Sequence, residues 1–232
     1  MLSVDLHTHS IASGHGSTDR ITDMTDEALR RGLALFGISE HGPGTPGGAS
    51  CSYFLGLKLL PRRKGSLIIR YGAEANIMDI DGKLDLPDHI LKELDYVIAG
   101  IHPRALKHLD REQSLRVYIG AMKNPFVTFI AHPDDSRYEV DYNAFVSACL
   151  KYRCVPELNE ISVSPASYRK DSRKNVRNLL KACMLYNCPV LISSDSHGRK
   201  GIGEATHAEE LIKDLSFPEE LIFNSIIRDR IS

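Results

Sequence analysis

Short apolar, β-branched runs alternate along this chain with longer stretches of helical spacing, and most of the short runs end in a histidine, a glutamate or an aspartate. The runs predict strands over 2–7, 34–39, 67–74, 96–102, 126–132, 154–159 and 190–195. Between them, apolar positions at helical spacing predict helices near 22–31, 111–123, 142–151, 172–186, 204–215 and 218–228. The first of these follows polar Asp19 and carries Glu27 and Arg31 four residues apart, a pair that supports a helix slightly. The crossover over 42–64 differs: it opens Gly-Pro-Gly-Thr-Pro-Gly-Gly, too rich in breakers for a helix, and is expected to be an ordered loop over the active face.

Strand–helix alternation without a linker or low-complexity break implies an α/β chain, residues 1–232 forming one domain around a parallel sheet with right-handed crossovers. The polar run-ends His9, His41, Glu74, His102 and His132 recur about every 30 residues, the length of one βα unit. Asn159 extends the series when it is counted, and Asp195 closes it. Groups arriving from nearly every strand favour a closed, TIM-like barrel with its site at the carboxyl ends of the strands. In an open doubly wound sheet they would gather at one switch point.

Composition narrows the reading little. A formal net charge of −1 offers no global attraction to nucleic acid or anionic membranes. With 42% hydrophobic and 25% charged residues the chain can build a sizeable core. No apolar run is long enough to span a membrane, and Asp5 and His7 stand where a signal peptide would be apolar, so a cytoplasmic location is expected. Five cysteines without a Cys-x-x-Cys pair suit reduced core thiols.

The run-ends suggest metal chemistry. His7-Thr-His9 places two imidazoles at i and i+2, on one face of a strand, and Asp195-Ser-His197 repeats the device on the last strand, the neighbour of the first in a barrel. Imidazoles are neutral nitrogen ligands for zinc, iron or manganese, and carboxylates add charge and can bridge ions. A single strand-end histidine is more often a structural hydrogen-bonder; the joint pattern is what points to a multinuclear site. His15, in the loop Ser-Gly-His-Gly-Ser-Thr, could fold inward on its flanking glycines, and spacing alone leaves its role open. His89, His108 and His207 lack strand-end context and read as surface histidines. Thr8, Ser10 and Ser196 read as hydroxyls that orient ligand imidazoles rather than as nucleophiles. Arg104 could clamp a phosphate or be solvated. The basic run from Arg169 to Arg177 could steer a polyanion, but more often such a run is the solvated start of a helix. Tyr53 and Phe54 could wall the pocket or pack against the barrel rim.

The His7-Thr-His9-Ser opening, the His15 loop, Ile-Ser-Glu-His41-Gly, Gly-Ala-Glu74-Ala-Asn, Ala-Gly-Ile-His102, Ala-His132-Pro and Ser-Asp195-Ser-His197 resemble the polymerase and histidinol phosphatase superfamily over nearly the whole chain. The likeness is to its short, trinuclear-metal phosphatase members. Thr45-Pro46-Gly47-Gly48 strengthens it, although Thr45 stands where an apolar residue is expected. The resemblance implies a distorted barrel of about seven βα units and three divalent ions, zinc foremost, with manganese or iron as alternatives. It implies one ion on His7, His9, Glu74 and Asp195, a second sharing Glu74 with His102 and His132, and a third on His15, His41 and His197. Glu74 and Asp195 would then act in catalysis through the metals. Three dications facing two carboxylates leave surplus positive charge suited to a phosphate monoester, hydrolysed by hydroxide generated from metal-held water. The expected partners are a small phosphorylated substrate and inorganic phosphate, with nucleic acid and membrane disfavoured and a homo-oligomer open. A 3′-exonuclease, a histidinol-phosphate phosphatase and a non-catalytic metal-binding module remain alternatives.

Overall fold

A computed structural model describes residues 1–107 and 109–231, so His108 lies outside the described residues. The strands are β1 (Val4–Asp5), β2 (Thr8–His9), β3 (Leu35–His41), β4 (Arg63–Lys64), β5 (Leu67–Asn76), β6 (Tyr96–Gly100), β7 (Val127–Ile130), β8 (Val155–Asn159), β9 (Leu191–Ser193) and β10 (Ser196–His197). The helices are α1 (Ile21–Arg30), α2 (Cys51–Gly56), α3 (Asp88–Leu91), α4 (Arg111–Met122), α5 (Tyr142–Tyr152), α6 (Glu160–Val163), α7 (Ser172–Tyr186), α8 (Thr206–Asp214) and α9 (Phe223–Ile231). Parallel pairing runs in the order β1, β3, β5, β6, β7, β8, β9, with β4 antiparallel on β5. β2 and β10 pair in parallel, Thr8 against Ser196 and His9 against His197, which brings the first and last strand positions together. The result is the expected distorted seven-stranded α/β barrel, nearly closed.

The first strand is broken between β1 and β2, where a continuous run over 2–7 is expected. Val4 and Leu6 pack inside the barrel, whereas His7 and His9 serve the site above. Strict alternation cannot aim both even and odd positions at one side, so the strand must be interrupted. A similar break separates β9 from β10, where Asp195 takes a left-handed backbone with φ 53°. His132, before Pro133, is likewise turned, with φ 30°. Such conformations are costly for residues other than glycine and cluster at functional sites.

The inside of the barrel has an apolar floor. Val4, Leu6, Leu35, Tyr96, Ile98, Phe129, Val155 and Leu191 fill it, and Phe223, Ile227 and Ile231 of α9 close its lower end. Tyr96 fits across the interior because β3 and β5 carry glycine opposite it: a Cβ on Gly37 would meet the Tyr96 hydroxyl, and one on Gly72 its ring. The Tyr96 hydroxyl donates to the Leu6 carbonyl at 2.7 Å. A larger apolar layer lies between the sheet and the surrounding helices, and it includes buried Cys149, Cys154, Cys183 and Cys188. All five cysteines are free thiols.

Two crossovers depart from expectation. The segment over 42–64 contains the short helix α2, whose amino end is capped by Ser50 accepting from the Tyr53 amide at 3.3 Å; the breakers end before it begins. The third crossover, where no helix is expected, contains the single turn α3. Among the described residues no helix is long and apolar enough to cross a membrane.

Candidate metal centre

All nine expected ligand residues converge at the carboxyl ends of the strands. Glu74, on β5 and paired in register with His41 of β3, is at the middle. Its Oε2 lies 2.8 Å from His41 Nδ1, 3.3 Å from His7 Nε2 and 3.4 Å from His9 Nε2. Its Oε1 lies 2.9 Å from His132 Nε2 and 3.2 Å from His102 Nε2. Asp195 Oδ1 faces His9 Nε2 at 3.3 Å and His7 Nε2 at 3.6 Å. Three overlapping groups have ligand atoms close enough to share an ion: His7, His9 and Asp195; His41, Glu74 and His102; and His9, His41 and His197. The first holds three of the four residues expected around one ion, His7, His9 and Asp195, without Glu74. The others draw His41 toward Glu74 and His9 toward His197, so the histidines form one continuous cluster rather than three separate cages. His15 comes in from an exposed loop and stacks 4.9 Å from His41 and 5.0 Å from His197, centroid to centroid. Gly16 permits this, with φ 74° and a position where a Cβ would strike the His197 ring.

The imidazoles are held in a usable tautomer. His7 Nδ1 lies 2.6 Å from Glu157 Oε1, an acceptor only, so Nδ1 carries the proton. Ser13 donates its hydroxyl proton to Glu40 and therefore accepts from His9 Nδ1 at 2.8 Å. His197 Nδ1 donates to the Asp195 carbonyl at 3.0 Å. In each ring the lone pair is thereby left on Nε2, and the Nε2 atoms of His7, His9 and His197 are buried without a hydrogen-bond partner. Buried unpartnered nitrogens are costly in a protein alone and are what a divalent ion satisfies. The donor set fits such an ion.

The electrostatics agree. Burial pushes the Glu74 carboxyl up, but His41, His7 and His102 outweigh it and hold the group well below the usual carboxylate range. Burial likewise opposes ionisation of Asp195 and is outweighed by His7 and His9. Burial, reinforced by His41, keeps His9 neutral. His7 differs: burial lowers it, yet Glu157, Asp195 and Glu74 carry it well above the ordinary histidine value, so an ion at Nε2 would have to displace a second proton from this ring.

Above the cluster opens a cavity of about 600 Å³. Arg104 stands exposed on its wall, as does Tyr168. Thr45 also lines it, its hydroxyl donating to Asn76 Oδ1 at 3.1 Å; this position holds a hydrogen-bonding side chain where the resemblance leads one to expect an apolar one. Arg169 is the main correction. The first residue of the basic run is not a solvated helix start: it is 7% exposed, lines the cavity and lies on the loop before α7. Its Nη1 donates to Ser162 Oγ at 2.9 Å, and its Nη2 is 3.7 Å from Asp195 Oδ2. Arg177, at the other end of the run, pairs with Asp214 on the surface as expected.

Other residues sit elsewhere than expected. Thr8 donates to the Gly37 carbonyl, Ser10 to Glu40 and Ser196 to the Gly198 carbonyl, so none of the three orients an imidazole; Ser13 does so instead. Tyr53 and Phe54 do not line this cavity: Phe54 is in the core and Tyr53 reaches Glu40 at 3.3 Å. His89 is exposed, as expected, but His207 is partly buried and bonded to Glu160 at 2.7 Å. Asn159 donates to Asp195 at 2.9 Å and to Glu157 at 3.1 Å.

Glu157 was not singled out by sequence spacing. It accepts from His7, Ser193, Asn159 and the His132 amide, tying four strand ends together. Glu157→Gln should weaken metal affinity by about 10–100-fold. Chelator competition checks this, and an unchanged affinity would mean that His7 is oriented by something else.

No protein-family model matches the chain. It is 36% identical over 231 residues to a protein of Caldicellulosiruptor bescii named "Probable phosphatase", covering 100% of this chain and 95% of the relative. A histidinol phosphate phosphatase from Lactococcus lactis, solved with zinc, L-histidinol and phosphate, superposes with a TM-score of 0.66 at 19% identity, covering 93% of this chain and 94% of that one. A chain of an archaeal ribonuclease P, solved with mature tRNA, superposes at 0.62 with 16% identity, over 97% of this chain and 88% of that one. The chain belongs to the polymerase and histidinol phosphatase superfamily. Within it, the full-length relative places the chain in the family of probable phosphatases, whereas the two solved structures share only its fold.

Proposed function

We propose that this protein is a metal-dependent phosphatase of small phosphomonoesters, with up to three divalent ions held by His7, His9, His15, His41, Glu74, His102, His132, Asp195 and His197. The observation that carries the reading is a ligand cluster with free, buried Nε2 lone pairs at the floor of a cavity whose wall presents Arg169. Zinc is the first choice for this nitrogen and oxygen set, with manganese or iron also compatible. When bound, such ions supply Lewis acidity toward a phosphoryl oxygen and lower the pKa of water to near neutrality.

The chain supplies the rest. Glu74 lies among five imidazoles and can offer one oxygen to each side of the cluster. Glu157, Ser13 and the Asp195 carbonyl hold ligand protons on Nδ1, so ring orientation is set before substrate arrives. Arg169 is positioned to receive the phosphoryl dianion from the side, and Arg104 from the rim. The wall of Pro46, Ile161 and Tyr168 is left for the leaving group. A cavity of about 600 Å³ suits a small molecule rather than a polymer strand.

The test is elemental analysis followed by assay on para-nitrophenyl phosphate and on a labelled single-stranded oligonucleotide at matched metal content. Monoester hydrolysis with competitive inhibition by inorganic phosphate is expected. Efficient trimming of the oligonucleotide without monoester hydrolysis would replace this reading with an exonuclease. Less than one metal per chain after reconstitution would remove its basis.

A further inference from the structure

A second cavity, of about 660 Å³, lies on the outer side of the barrel wall between the start of α1 and the β4–β5 hairpin. A regular barrel places a full-length helix after each strand. Here the second crossover contains only α2, one further turn and β4, and the space a longer helix would fill is left open. Its walls are largely apolar, with Ile21, Leu60 and Ile69 among them. The charged residues that line it are Arg20, Arg63 and Lys64, and no carboxylate is among the lining residues. Lys64 is paired with Asp26, whereas Arg20 and Arg63 have no ion-pair partner among the described residues. An apolar chamber of this size with two uncommitted guanidinium groups suits a small molecule that has an apolar body and an anionic end.

The cavity also touches the back of the metal centre. Tyr53 is in its wall and donates its hydroxyl to Glu40 at 3.3 Å. Glu40 is fully buried and accepts from Ser13, which accepts in turn from His9 Nδ1. Three hydrogen bonds therefore separate the second cavity from a ring at the metal site. We propose that this cavity is a second ligand site, for a small organic anion with an apolar body, and that Tyr53 couples its occupancy to the His9 side of the metal centre. A ligand that accepts the Tyr53 hydroxyl removes one donor from Glu40 and strengthens its hold on Ser13.

The probe is 8-anilinonaphthalene-1-sulfonate, an aromatic anion whose fluorescence rises in an apolar site, added to the full zinc-loaded chain. Saturable binding of one probe per chain is expected, unaffected by excess inorganic phosphate. The Arg20→Ser/Arg63→Ser variant should bind it about tenfold more weakly, and uncharged N-phenyl-1-naphthylamine should lose a similar factor against the native protein. Displacement by phosphate, equal binding by the double variant or absence of one-to-one binding would overturn the site. For the coupling, saturating probe should change the rate of zinc loss to a chelator by about fivefold, and Tyr53→Phe should abolish that change while still binding the probe. Equal rates with and without probe would overturn the coupling. Probe binding is read without turnover, so its failure and a failure to hydrolyse phosphate esters are separate results.

Discussion

Glu74→Gln is expected to remove at least one ion per chain and to lower phosphatase turnover by at least about 10³-fold, since losing even one transition-state donor costs about 10²–10³. The side chain is 1% exposed, and its two oxygens face His41, His7 and His9 on one side and His132 and His102 on the other. Glutamine preserves the shape but offers one acceptor oxygen and no charge. Any ion shared between the two halves of the cluster would lose its bridging ligand. The barrel itself should persist. The floor of Leu35, Ile98 and Phe129 lies below the site and makes no use of the carboxylate, and the freed imidazoles can shed protons rather than remain as unpaired buried charges. Elemental analysis, circular dichroism and turnover on para-nitrophenyl phosphate together check this. A folded variant with full metal content and a near-normal rate would show that Glu74 is not shared between ions.

The parts of this site that could be read from sequence are those where one residue type ends one apolar run. His41 ends β3, Glu74 lies near the end of β5, and His102 and His132 follow just after β6 and β7, so spacing alone gathers them. His7 and His9 are equally visible as a pair, but the strand interruption they require, between β1 and β2, is not. It arises because Val4 and Leu6 are needed inside the barrel while His7 must face the site, a conflict that appears only once the interior is filled. Glu157 had a signal that spacing did not weigh: two residues before Asn159, it is a charged residue on the same face of an apolar strand. Ser13 had none, since its role depends on the approach of Glu40 from another strand. The α9 plug was legible as a helix, but its three apolar residues find their place only in the closed barrel.

Arg169→Met is expected to lower kcat/KM for a phosphomonoester by about 10²–10³, with metal content retained and inhibition by inorganic phosphate weakened in parallel. In sequence Arg169 is the first member of a basic run, which hides it among solvated neighbours. In the fold it is buried beside Asn159, Ser162 and Asp195. Its guanidinium donates through Nη1 to Asn159 and Ser162, and the Asp195 carboxylate oxygen lies 3.7 Å from Nη2. A buried guanidinium with donors to spare is costly unless an anion completes it. Asp134 adds to its surroundings: burial pushes that carboxyl up to about 6, with Arg169 the main opposing influence. Tyr168 covers the guanidinium from outside, with the ring centroid 4.9 Å away, and limits its motion toward solvent. Methionine keeps the length and apolar stem while removing the fork. Arg169→Lys should recover only part of the loss, because a point charge cannot hold two phosphoryl oxygens as a planar fork does. If Arg169→Met lost metal along with activity, the residue would be a support for Asp195 rather than a contact for phosphate. If it kept both metal and normal phosphate inhibition, the phosphoryl group must bind elsewhere, and Arg104 at the rim would be the next residue to replace.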